Sequence, residues 1–379
     1  MVAFDFYCPA KVEFGVNICA KMGEYIEALH IKKPVVVTDK IILQVPAVNK
    51  VICAIPNAAV YDNVLPNPTS DIVMDLKKFV EDHNADGLIV FGGGSSIDSA
   101  KAAGVAAYTD TTVQQYYDFA ENQLPIEKAL PIIAVPTTSG TGSEVSKYAV
   151  ITDSVSNLKE CLTSDLITPR IALIDPALAA GMPPKVTVST GLDALSHALE
   201  SLASKIENPF TNILALEAIE LIFNNLNTAR VDGSNLEARS NMAFAALLAG
   251  IAMSHCCGTI GHAMGCQLTS EYHVPHGMAC AVLQKDALDY VGDKAANIKM
   301  LVDYLDHKDY PIEQAVPVMQ AKLIALYEQL EVPMNMKEYH MTMDGINNMI
   351  EGAMKHGCMG LNPVKMLEDQ IVALFKKIM

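Results

Sequence analysis

The feature that most constrains this 379-residue chain is a change of hydrophobic period near Pro183-Pro184. Before it, short β-branched runs stand at Pro34–Thr38, Val51–Ile55, Gly87–Phe91, Pro131–Val135 and Arg170–Ile174. Between some of them lie stretches of helical period, such as Asp71–His83 and Ile97–Ala107. Such alternation predicts a parallel sheet covered by helices, with its ligand edge at the carboxyl ends of the strands. After the break the chain is rich in Ala, Leu and Met at helical spacing, as in Asn212–Asn224, Glu237–Met253, Gln314–Glu328 and Met366–Lys377. Polar or proline breaks, including Asn208-Pro209 and Val332-Pro333, separate these helices. The expected organisation is an α/β domain over 1–182 and an all-helical domain over 183–379, with a small-molecule cleft between them.

Composition excludes several classes. Hydrophobic residues at 51% and charged residues at 18% supply packed cores and argue against disorder. A net charge of −16 repels polyanions, so neither nucleic acid nor an anionic membrane is an expected partner. The longest apolar run, near Phe244–Met253, falls short of the roughly 20 residues that span a bilayer. The first residues show no cationic segment followed by an apolar one, so the expected location is the cytoplasm. The nine cysteines include no CxxC pair and are expected to be reduced and buried.

Two segments read as a cofactor cradle. In Gly87-Leu-Ile-Val-Phe-Gly92-Gly93-Gly94-Ser95-Ser96-Ile-Asp98 a strand runs through glycines into a helix. Absent Cβ atoms let the backbone approach a phosphate, and the new helix offers free N–H groups and a positive dipole end. The spacing is neither a Walker loop nor GxGxxG. The second segment, Pro136-Thr137-Thr138-Ser139-Gly140-Thr141-Gly142-Ser143-Glu144-Val145-Ser146, is dense in hydroxyls and lined for ribose or phosphate oxygens. Asp39 ends the run Val35–Thr38, where an acid accepts ribose hydroxyls and repels a 2′-phosphate, or simply caps a turn.

The second half carries candidate metal ligands. Asp193 and His197 are four apart on a predicted helix and share a face. Four histidines, His255, His262, His273 and His276, follow within a short span. Two of them would complete an Asp/His site with an open position for substrate, and spacing alone leaves the choice of two open.

Four pieces in order, GGGSSIDSAK at Gly92–Lys101, PTTSGTGSEVS at Pro136–Ser146, GLDALSHALE at Gly191–Glu200 and GHAMG…PHG from Gly261 to Gly277, resemble the iron-containing (group III) alcohol dehydrogenase family. The resemblance covers nearly the whole chain. It implies that fold, shared with dehydroquinate synthase-like proteins: an N-terminal dinucleotide-binding domain and a helical metal-binding domain. It assigns the metal to Asp193, His197, His262 and His276, and the cofactor to Asp39, Asn67, Gly93, Gly94, Ser95, Asp98, Thr137, Thr138, Thr141, Ser146 and Lys159. Asp39 matches members that prefer NAD over NADP. Two positions depart from the pattern. Many alcohol-active members carry a second His four residues after the third ligand, thought to relay a proton; here it is Cys266. The tail motif Cys358-Met-Gly-Leu-Asn362-Pro363 is followed by Val364 where Arg is usual.

The expected activity is NAD(H)-linked, metal-dependent interconversion of a small primary alcohol or diol and its aldehyde, with Fe(II) or Zn(II) and with His276 and Cys266 as catalytic candidates. A reductase of a small acidic aldehyde, with Lys147 in the cofactor loop, and a zinc polyol dehydrogenase are the alternatives. A sugar-phosphate cyclase would need more cations than Lys205, Arg230 and Arg239, the only basic residues from Asp193 to His276. The apolar helices lead us to expect a homodimer or larger homo-oligomer.

Overall fold

The computed structural model describes residues 3–379. Its strands are β1 (Lys11–Phe14), β2 (Pro34–Val37), β3 (Ala59–Tyr61), β4 (Gly87–Gly92), β5 (Ile132–Pro136), β6 (Tyr148–Thr152), β7 (Lys159–Thr163) and β8 (Ile171–Ile174). Six of them pair in parallel in the order β1-β8-β5-β4-β2-β3, and β6 and β7 form a separate antiparallel hairpin. Helices α1 (Met22–Ala28), α2 (Lys40–Leu43), α3 (Pro46–Cys53), α4 (Ser70–Asp82) and α5 (Gly94–Ala106) connect and cover the sheet.

The sheet buries both faces, so its strands read as unbroken apolar runs rather than alternating ones. Val35, Val37, Leu88, Val90, Ile132 and Ala134 point to one core, with Val73, Leu76 and Val80 of α4 and Ile97 and Ala100 of α5. Val36, Ile89, Phe91, Ile133 and Val135 point to the other, with Met22 and Tyr25 of α1 and Val48 and Ile52 of α3. Register sets the ligand edge: Gly92 at the end of β4 lies beside Pro136 at the end of β5, and Val37 of β2 pairs with Val90.

One expected strand is a helix. Val51–Cys53 close α3, where Pro46 stands in the first turn and Val48 and Ile52 bury one turn apart. A short apolar run fits either period, and the strand itself comes later, at β3. The edge strand β1 and the β6–β7 hairpin are not among the expected strands: each is only four or five residues long, too short for its alternation to stand out.

The helical unit contains α6 (Pro184–Ala203), α7 (Pro209–Val231), α8 (Leu236–Cys256), α9 (Ile260–Tyr272), α10 (His276–Ala287), α11 (Ala295–Asp306), α12 (Ile312–Gln329), α13 (Met343–Lys355), α14 (Gly357–Leu361) and α15 (Glu368–Ile378). From Gly191 to Ala203 every residue of α6 is buried, and α7, α9 and α10 pack on it. Among the described residues no single helix is long and apolar enough to cross a membrane.

The compact units depart from a simple division at 182/183. Residues 3–6 belong with the helical unit, where the Phe6 ring stacks on His255 at 4.4 Å and on Phe210 at 4.9 Å. Ser234–Ala243, including the first turns of α8, belongs with the α/β unit. There the fully buried Arg239 donates to the Met182 carbonyl at 3.1 Å.

Candidate active site

Three helix segments of the helical unit deliver four side chains to one point. Asp193 and His197 stand one turn apart on α6, His262 lies in the first turn of α9, and His276 opens α10 behind Pro275. The Nε2 atoms of His197, His262 and His276 lie 4.0, 3.8 and 3.7 Å from Asp193 Oδ1. These gaps are too long for hydrogen bonds. They suit four donors around one ion with bonds of about 2.0–2.2 Å. Asp193 Oδ1 and His262 Nε2 are buried without a hydrogen-bond partner among the described residues. Each such orphan costs about 1–3 kcal/mol, and a cation at the centre relieves both. The residues present therefore fit a divalent metal.

Close packing makes the point. A Cβ on Gly277 would stand 1.8 Å from the Ser189 carbonyl and 2.9 Å from Asp193 Cβ, so only glycine lets the start of α10 meet α6 here. His255 and His273 go elsewhere. His255 Nδ1 bonds the Ile251 carbonyl at 2.9 Å, and His273 caps α9 with φ 55°.

Electrostatics follow from burial and the imidazoles. Burial alone would raise the Asp193 carboxyl, but His197, His262 and His276 hold it below the usual carboxylate range. Burial works against charge on His262, yet Cys280, Glu200 and Asp193 hold it well above the ordinary imidazole value. Glu200 had no expected role. It is fully buried on α6, accepts His262 Nδ1 at 2.7 Å and the His262 amide at 3.2 Å, and also takes the Thr259 amide and hydroxyl. It lies three residues after His197, so its helical face was legible, whereas its burial was not.

Cys280 is a further unexpected neighbour. Its Sγ is grouped with donor atoms of Asp193, His262 and His276 within 4.8 Å of one another. It stands almost equally far from His276 Nε2 (3.8 Å) and Nδ1 (4.0 Å), beside the ring and not in line with Nε2. Burial pushes its thiol up to about 12, so it stays neutral. Cys266 is buried one turn after His262, close enough to His356 to help raise that imidazole against the effect of its burial.

The other candidate residues lie in the α/β unit. Gly93 caps α5 and Gly94 opens it, and the Thr137 amide donates to the Gly92 carbonyl at 3.0 Å. A Cβ on Gly93 would meet Thr138 Oγ1 at 3.0 Å, and one on Gly94 would meet Thr141 Cγ2 at 2.7 Å. Gly93, Gly94, Thr137, Thr138 and Thr141 thus share one bare-backbone cradle, and Ser95 follows in the first turn of α5. The Thr137 and Thr38 hydroxyls are buried without partners among the described residues, open acceptors and donors beside that cradle. The residues fit a dinucleotide phosphate.

Asp98 and Ser146 belong to a network around Lys101, a residue without an assigned role in the sequence. The fully buried Lys101 Nζ donates to Ser143 Oγ (3.0 Å), Ser146 O (2.9 Å), Ser146 Oγ (3.2 Å) and Tyr148 O (2.7 Å). Asp98 accepts Ser143 Oγ and the Val150 amide. Burial raises the Asp98 carboxyl, opposed by Lys101 and, more weakly, by Lys159 at the start of β7. Burial lowers the Lys101 ammonium to about 8. Asp39 caps α2, its Oδ1 accepting the Ile41 and Ile42 amides at 2.8 and 2.9 Å. Asn67 takes a left-handed φ of 53° in the loop before α4.

Comparison with known proteins bears on both halves. The family model "Iron-containing alcohol dehydrogenase" matches residues 9–176, and its C-terminal counterpart matches residues 187–379. The 1,3-propanediol dehydrogenase of Klebsiella pneumoniae is 35% identical over 387 residues, covering 99% of this chain and 98% of its own. A solved 1,3-propanediol oxidoreductase superposes with a TM-score of 0.94 at 33% identity over the whole of both chains. A sulfoacetaldehyde reductase from Bifidobacterium kashiwanohense, solved with NAD+, gives 0.91 at 28% identity, covering 100% of this chain and 99% of that one. By sequence over both halves and by fold over its full length, the chain belongs to the iron-containing alcohol dehydrogenase family and is an oxidoreductase of the alcohol dehydrogenase kind.

Proposed function

We propose that the protein is an NAD(H)-linked, metal-dependent dehydrogenase that interconverts a small primary alcohol or diol and its aldehyde. The observation that carries this reading is the set of three imidazole Nε2 atoms within 4.0 Å of one carboxylate oxygen, two of those four donors being buried orphans. Asp193, His197, His262 and His276 would hold the cation, and the Gly93–Gly94 cradle with Thr137, Thr138 and Thr141 would hold NAD. When bound, the metal supplies Lewis-acid polarisation of the substrate oxygen, and NAD gives or takes the hydride.

The chain does the rest. Asp193 contributes a fixed negative charge at the centre. Glu200 takes the Nδ1 hydrogen bond of His262, which turns the Nε2 lone pair inward and fixes the ring. The side chain of His276 is 29% exposed, against 5% for Asp193, 7% for His197 and 9% for His262. Its side is therefore where substrate enters and where water takes the alcohol proton. Cys266 is a bystander in this scheme, because its buried thiol stands one turn beyond His262 and outside the group of donor atoms around Asp193. An Asp/His₃ set accepts Fe(II) or Zn(II), and we assign Fe(II) from family membership.

The test is NADH formation from short primary alcohols and 1,3-propanediol by protein purified without oxygen. We expect a chelator to abolish turnover and Fe(II) to restore it; chelator-insensitive turnover overturns the metal. No alcohol turnover, with sulfoacetaldehyde reduced instead, would transfer the reading to acidic aldehydes. In the same assay Asp39→Gly should improve NADP use relative to NAD while costing only a few tenths of a kcal/mol, since glycine also caps helices. An unchanged cofactor ratio would leave Asp39 as a turn former.

A further inference from the structure

Close to the metal cage lies a pair of thiols that the proposed catalysis does not use. Cys257 follows α8 with φ 55°, a left-handed conformation that costs any residue bearing a Cβ. Its Sγ stands 3.5 Å from Cys358 Sγ, although the two are 101 positions apart in the sequence. Cys358 is buried in α14, and α14 is tied down by Lys205, whose amide and Nζ donate to the Leu361 and Gly360 carbonyls at 3.0 and 2.9 Å. His356 stands beside them, its Nδ1 accepting the Cys358 amide at 3.2 Å.

We propose that Cys257 and Cys358 are a reversible redox pair, a modification site that closes by exchange with a low-molecular-weight disulfide. The part-exposed Cys257 thiolate attacks one sulfur of the small disulfide, forming a mixed disulfide and releasing one small thiol. Cys358, after losing its proton to water, attacks the Cys257 sulfur, forms the internal bond and releases the second small thiol. Two protein thiols are oxidised and one small disulfide is reduced to two thiols. The hydrogen bond from Cys358 holds the Cys257 thiol below the ordinary thiol range despite burial, which suits it to the attacking role. The sulfurs are already in contact and must close from 3.5 Å to about 2.05 Å.

Closure reaches the metal cage because the next turn has no slack. A Cβ on Gly258 would lie 2.9 Å from His262 Cβ and 3.2 Å from Glu200 Oε2. Glu200 grips Thr259 and orients His262. Since α14 is tethered, Cys257 is the partner that moves, and it draws the Gly258–Thr259 turn away from Glu200.

The experiment treats the metal-loaded full-length protein with oxidised glutathione, alkylates it and maps disulfides in a non-reducing digest. Expected are a Cys257–Cys358 cross-linked peptide and metal release to a chelator faster by roughly tenfold, the scale of losing a ligand-orienting contact. Both should reverse with dithiothreitol. Cys358→Ser should keep the untreated protein's activity and, stopping at the Cys257–glutathione adduct, show neither the cross-link nor faster metal release; Cys257→Gly, which suits the left-handed backbone, should show neither adduct nor cross-link. In the native protein, glutathione adducts without the cross-link or a cross-link with unchanged metal release would overturn the proposal, as would equally accelerated metal release in Cys358→Ser. The cross-link is read without any substrate, so its failure is separable from failure of the alcohol dehydrogenase reading.

Discussion

Glu144 sits in the hydroxyl-rich loop after β5, 4% exposed, and burial raises its carboxyl to about 7 against its own amide and Lys101. A carboxyl raised on folding holds its proton in the folded state where the unfolded chain has lost it. Its stabilising contribution is whole below the ordinary carboxyl value of about 4.3 and is lost as pH rises through about 7. Glu144→Gln removes that slope. Between about pH 5 and 8 the native protein should lose on the order of 2 kcal/mol relative to the variant, read by urea unfolding. Parallel pH profiles would show that Glu144 is ionised throughout. Neither Glu144, Lys101 nor Glu200 announced itself in the sequence, because a charge at helical or loop spacing reads as a solvated face until burial is known. The histidines show the opposite limit: their clustering was legible, but spacing alone left the choice among four open.

Elements were legible where length and flanking residues agreed. The runs at Gly87–Phe91 and Pro131–Val135 became β4 and β5 because both faces of the sheet are covered and every residue is buried. Val51–Ile55 failed because Pro46 starts a helix whose apolar positions, Val48 and Ile52, also happen to fit a short strand. At the α6–α10 contact the glycine of the Pro-His-Gly run has a mechanical role that spacing did not reveal. Gly277→Ala places a methyl group inside the Ser189 carbonyl. The start of α10 must then withdraw, carrying His276 with it. We expect a loss of about 1–3 kcal/mol, as for other overpacked contacts, together with a fall in bound metal measured by elemental analysis. Full metal content in Gly277→Ala would show that the two helices part without disturbing His276.

At the scale of the molecule, the change of period near Pro183 located the passage from sheet to helices, while the exceptions came from long-range packing that no local pattern encodes. A cation that binds only the folded helical unit adds about 2.7 kcal/mol at a hundredfold excess over its dissociation constant. For a unit of this size that corresponds to a rise in Tm of roughly 5–10 °C, measurable by calorimetry with and without chelator. A shift of less than about 1 °C would mean the four donors are not filled in the native state. Residues 234–243 complete the α/β unit, with Arg239 holding the Met182 carbonyl. During synthesis the ribosome delivers the sheet, complete at Ile174, well before it delivers the guanidinium that the Met182 carbonyl accepts. The nascent α/β half therefore waits, unfinished, until translation has passed Ala243, and a fragment cut at Met182 would stay permanently at that stage.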